Sequence, residues 1–119
     1  MTIYNYTVLD YAPEPTSERA TAYLVFARCV GGTERCSVKI FVFASLHENL
    51  PEPHRQYVNE VVESVLSYSE VDLDSFFKGI QGLSVGPLRF RLNGSCGSPE
   101  LSDILKEIFS ESGYISLHK

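Results

Sequence analysis

The chain is 119 residues long, 44% hydrophobic and 21% charged, which suits one folded domain and excludes a disordered chain. Ten Lys and Arg against fifteen Asp and Glu give a formal net charge of −5, a poor charge for coating nucleic acid or an anionic membrane. No apolar run approaches the roughly 18 residues of a membrane span, and the segment from Met1 to Tyr6 has neither the basic nor the apolar region of a secretory signal.

In chain order, Thr2 to Leu9 is rich in β-branched and aromatic residues and reads as a strand. Pro13 and Pro15 interrupt it. Ala20 to Val30 and Cys36 to Leu46 are two further strand candidates around Gly31-Gly32, which together predict a hairpin. A tight turn at Gly32-Thr33 makes Cys29 oppose Cys36, Ala27 oppose Val38, Val25 oppose Ile40 and Tyr23 oppose Val42 on one apolar face. Leu24, Phe26 and Arg28 then share the other face with Phe41, Lys39 and Ser37.

The period changes after Pro51. Tyr57, Val58, Val61, Val62, Val65 and Leu66 form one stripe of an amphipathic helix over Pro51 to Tyr68, with Asn49 and Glu52 as its start signal. Asp72 to Ile80 reads as a short helix capped by Asp72 or Asp74. Leu88 to Asn93 alternates as a strand buried on one side. Ser98-Pro99 opens a second strong helix with the stripe Leu101, Ile104, Leu105, Ile108 and Phe109. Tyr114 to Leu117 adds a short edge strand. The expected fold is therefore a single α+β domain over residues 1–119. Its mainly antiparallel sheet has four or five strands in the order β-β-β-α-(α)-β-α, with two main amphipathic helices on one sheet face.

Charge is uneven along this order. Residues 48–74 carry seven acids and one base, and residues 100–111 carry four acids and one base, while the remainder holds eight bases and four acids. The helices are thus acidic and the sheet basic. Glu60, Glu63, Glu70, Asp72 and Asp74 form the expected partner-binding face. If the other sheet face is open, Leu24, Phe26, Arg28, Lys39, Phe41, Arg89 and Arg91 make an aromatic and basic interface, a composition common at binding hot spots.

Cys29, Cys36 and Cys96 match no zinc or CxxC pattern. Reduced thiols, and hence a cytoplasmic location, are the expectation. Cys96 lies in Asn93-Gly94-Ser95-Cys96-Gly97-Ser98-Pro99, between a strand and a helix start, where free N–H groups and the helix dipole can activate a thiol or hold an anion. His47 and His54 stand near Glu48 and Glu52 but lack metal-ligand spacing, so neither metal nor cofactor is expected. No P-loop, G-x-G-x-x-G or G-x-S-x-G motif occurs.

These features point to a small acidic, non-enzymatic module that binds another protein. The reading is by analogy with inhibitors of basic, nucleic-acid-handling partners such as immunity, anti-restriction or anti-CRISPR proteins. A homodimer through the sheet face is a second expected contact. Two rivals are a thiol-dependent or anion-binding enzyme centred on Cys96, and a single-stranded nucleic-acid binder stacking bases on Phe26 and Phe41.

Overall fold

β-branched and aromatic residues build the first three strands, as their preference for a pleated, packed surface requires. The computed structural model describes residues 2–13, 21–30, 38–80, 84–85, 87–109 and 113–117. Along them run β1 (Ile3–Tyr11), β2 (Thr21–Cys29), β3 (Val38–Phe43), α1 (Ala44–Glu48), α2 (Glu52–Ser67), α3 (Glu70–Gly79), β4 (Ser84–Val85), β5 (Leu88–Gly97), α4 (Leu101–Ile108) and β6 (Tyr114–Ser116). The class is α+β with an antiparallel sheet, as the sequence predicts. The strands lie in the order β4-β5-β1-β2-β3-β6, so β5 returns to the side of β1 and the first three strands stay adjacent.

Helix ends differ in detail from the sequence reading. Asn49 closes α1 instead of opening α2, and its side-chain amide donates to the Ser45 carbonyl at 2.8 Å. α2 starts behind Pro51 without a side-chain cap. Ser69, not an aspartate, caps α3 by accepting from the Asp72 N–H.

The hairpin register is shifted by one residue from the expected one. Leu24 opposes Val42, Phe26 opposes Ile40 and Arg28 opposes Val38, while Val25 opposes Phe41 and Ala27 opposes Lys39. The expected turn at Gly32-Thr33 and the Cys29–Cys36 pair fall outside the described residues. A one-residue slip turns every side chain of β3 to the other face. Here both faces are apolar, so alternation could not discriminate between the registers.

Both faces are covered. On one, Leu24, Phe26, Ile40 and Val42 pack with Val58, Val62 and Val65 of α2, joined by Leu73, Phe76 and Phe77 of α3. On the other, Val8, Val25, Ala27 and Phe41 pack with Leu101, Leu105 and Phe109 at α4. The helix expected beside α2 thus lies across the sheet from it. Its apolar stripe forms as predicted, but against the face that the sequence reading left open.

Two irregularities frame Leu9. On β2 the pairing runs from Leu9–Leu24 to Asp10–Ala22 and skips Tyr23. On β5 it runs from Val8–Leu92 to Leu9–Phe90 and skips Arg91. Such bulges re-aim side chains. Tyr23 joins Leu24 in the α2 core, and Arg91 Nε meets the Asp10 carboxylate at 2.5 Å.

Candidate functional site

The expected sheet-face interface is not assembled. Leu24 and Phe26 are fully buried, with Phe26 packed edge-on against Phe76 and Phe77. Arg28 lies on that same face and pairs with Asp74 of α3. Phe41 and Lys39 lie on the opposite face. The Phe41 ring meets Tyr114, and the Lys39 ammonium sits 5.2 Å from the Tyr4 ring centroid. Arg89 opposes Asp10 across the β1–β5 ladder, and Arg91 bonds it. Phe26 and Phe41 therefore offer no shared stacking platform for bases. A dimer through an open sheet face also loses its premise, because helices occupy both faces.

Cys96 is displaced from its expected place. β5 continues through Asn93-Gly94-Ser95 to Gly97, so Cys96 is a strand residue opposite Tyr4 and is buried with Leu101 and Leu105. The glycine that reads as a turn signal has another use. A Cβ at Gly94 would fall 2.2 Å from the Tyr6 ring, so Gly94 leaves room for an aromatic that crosses the strand. Burial pushes the Cys96 thiol up, and the nearby Glu100 carboxylate pushes it further the same way. Both effects oppose the activation that a nucleophilic thiol needs. Cys96 should resist alkylation by iodoacetamide in the folded protein and react only once denaturant unfolds it. Rapid labelling of the native protein would contradict this burial.

Cys29 is disulfide-bonded, whereas Cys96 is free. Among the described residues no cluster of three or more His, Cys, Asp or Glu is placed to hold a metal ion, and no helix is long and apolar enough to cross a membrane.

Of the acidic residues, Glu60 and Glu63 on α2 and Asp72 and Asp74 on α3 are exposed, and Asp74 also takes the Arg28 ion pair. Glu70 opens α3, but its side chain is outside the described set. The structure adds three apolar neighbours that charge counting misses. Leu66, Tyr68 and Val71 are 48%, 36% and 73% exposed, and all lie at the α2–α3 corner. Glu63 and Leu66 are three apart on α2, and Val71 and Asp74 three apart on α3, so acid and apolar side chains share helix sides. The sequence signal was available: Leu66 lies at the edge of the α2 stripe, and Val71 precedes the next apolar period.

A second feature escaped the sequence reading. Two Tyr–His pairs tie the α1–α2 corner to the sheet. The Tyr23 hydroxyl and His47 Nδ1 are 2.6 Å apart, as are the Tyr11 hydroxyl and His54 Nδ1. With each imidazole proton on Nε2, the hydroxyl donates to Nδ1. The two tyrosine rings meet edge to face, and His47 stacks on Tyr23. Arg55 adds a third tie by donating to the Glu48 carbonyl at 3.0 Å.

Burial lowers the His47 pKa below its ordinary 6.5, Arg55 lowers it further, and Glu48 partly opposes both. The unfolded chain therefore binds more protons than the folded one as pH falls from 6.5 through the folded-state value. His47 contributes full stability above pH 6.5 and loses it with acidification. Urea midpoints should fall between pH 7 and 5, and His47→Gln should flatten that slope. An unchanged slope in the variant would assign the effect to other groups.

A third feature is an open pocket of about 410 Å³ with a mixed polar and apolar lining at the Asn5–Ser95 end of the sheet. Phe77 of α3 forms one of its walls.

No family model matches the chain, and comparison with curated proteins and with solved structures returns no match.

Proposed function

We propose that this protein is a small acidic, non-enzymatic binding module that docks its α2–α3 corner on a basic surface of another protein. The observation that carries the reading is the exposure of Leu66, Tyr68 and Val71 among Glu60, Glu63, Asp72 and Asp74. Ile3, Leu92 and Ile115 are also exposed among the described residues, but on strands, whereas Leu66, Tyr68 and Val71 fall together within six residues of chain between two acidic helices. An exposed apolar group ringed by charge is the arrangement of a binding surface, with apolar contacts supplying affinity and charge supplying steering and register. Acidic carboxylates at such a rim would meet Lys and Arg in the way that phosphates do. This supports an inhibitor of a nucleic-acid-handling partner. Cytoplasmic residence is no part of the proposal, because it was expected from reduced thiols and Cys29 is disulfide-bonded.

The test is affinity capture from the native host with the full chain, run beside Glu60→Lys/Glu63→Lys and Val71→Asp. The expected result is a retained protein of isoelectric point above about 9 that elutes as salt rises and is lost from both variants, which keep the wild-type unfolding midpoint. An identical retained set for all three proteins would overturn the proposal.

A further inference from the structure

The α2/α3 face of the sheet changes character at one end. Along β1, Leu9 and Tyr11 lie under the helices, and at the other end of the same strand Thr7 and Asn5 line the pocket. β2 makes the same transition from Phe26 to Arg28, and β5 contributes Asn93 and Ser95. Thr7 opposes Asn93 and Asn5 opposes Ser95 across the β1–β5 ladder, so four polar side chains form a compact square. Phe77, projecting from α3, supplies an aromatic wall.

Thr7 donates to Asn93 Oδ1 at 2.7 Å. That bond fixes the Asn93 amide and directs its NH₂ group, with two donors, away from the bonded oxygen. Asn5 can both donate and accept, as can the Ser95 hydroxyl. Arg28 is the charged residue in the lining, and its guanidinium is already paired with Asp74. The pocket is therefore close to charge-neutral within a chain of net charge −5. A phosphate or sulfate would meet the Asp74 carboxylate beside Arg28, the only cation among the described lining residues, which disfavours an anion.

We propose that this pocket binds a neutral saccharide ring. Adjacent hydroxyls on a pyranose pair with the donor and acceptor of one planar amide, and Asn5, Asn93 and Ser95 present such groups side by side. The C–H face of the ring is apolar and packs on the negative face of an aromatic such as Phe77. The size is that of a small-molecule site, and the few convergent polar groups would fix orientation. An extended peptide fits less well. Peptides add to a sheet through the free backbone of an edge strand, whereas the groups that converge here are side chains standing on the face of the β1–β5 ladder.

The experiment is a titration of the ¹⁵N-labelled full chain, with its disulfide intact, followed through the side-chain amide signals of Asn5 and Asn93. Glucose, galactose, mannose and N-acetylglucosamine are the neutral probes, and glucose 6-phosphate is the charged arm. At least one neutral sugar should shift both signals saturably, with half-saturation on the order of 1 mM. Asn5→Ala/Ser95→Ala should weaken that binding by about tenfold or more, at an unchanged unfolding midpoint. No saturable shift with any neutral probe to roughly 50 mM would overturn the proposal. So would equal binding by the double variant, or binding of the phosphate form about tenfold tighter than any neutral sugar, which would point to an anion site instead.

Discussion

Replacing Phe26 by Ala should destabilise the domain by about 3–5 kcal/mol, a fall of roughly 10–20 °C in Tm. Phe26 is 0% exposed, lies between Thr7 and Ile40 on the neighbouring strands, and meets Phe76 and Phe77 edge-on at centroid distances of 5.8 and 6.1 Å. The cost combines lost burial with the cavity left behind, because α3 cannot collapse onto the sheet without moving both of its phenylalanines. Phe26→Leu keeps most of the volume and should cost under about 1.5 kcal/mol. Urea unfolding of the two variants distinguishes this core from an open sheet face, on which either change would stay within about 0.5 kcal/mol. The same substitution would loosen Phe77, so saccharide binding in the pocket should weaken along with stability.

Phe26 also shows what alternation can and cannot reveal. The existence of β1, β2, β3, β5, α2, α3 and α4 was legible, because each has its own period, caps or breakers. The pairing of β2 with β3 was not. Between Ala22 and Ala27 every residue of β2 is buried, and a strand buried on both sides carries no polar residue to mark its outer face. Fixing the register from a turn assumption then placed Phe41 and Lys39 beside Phe26 and Arg28, when they lie across the sheet from them.

The sites divide along the same line. Exposed carboxylates on α2 and α3 were legible, since helix periodicity fixes which residues leave the core. The pocket was not, because it joins Asn5, Arg28, Phe77, Asn93 and Ser95 from four elements. Nothing local in the sequence says that β5 lies beside β1. The Cys96 segment misled for a local reason. Asn-Gly and Gly-Ser are turn signals, but Gly94 lies within a strand where the Tyr6 ring crosses it. The Tyr–His pairs were hidden by distance along the chain, the partners lying 24 and 43 positions apart.

Arg91→Ala should cost about 2 kcal/mol, although Arg91 looks like a surface residue from its strand alternation. Asp10 directly follows the two positions where β1 changes register with its neighbours, and its side chain is only 12% exposed, against 44% for Arg91. The pair is thus buried on the carboxylate side and open on the other. An exposed pair would be worth up to about 1 kcal/mol, while breaking a fully buried one costs about 3–5 kcal/mol. This pair falls between those limits, and the loss is that of a charge-assisted bond to a carboxylate with little access to water. Asp10→Asn in the Arg91→Ala background removes the stranded charge, so the double variant should be more stable than the Arg91→Ala single, and a double-mutant cycle should return a favourable coupling. That coupling should change little between low and moderate salt, because screening acts weakly on a buried carboxylate. A cycle that returns no coupling would make Arg91 a surface charge after all and return it to the pool of residues available to a partner.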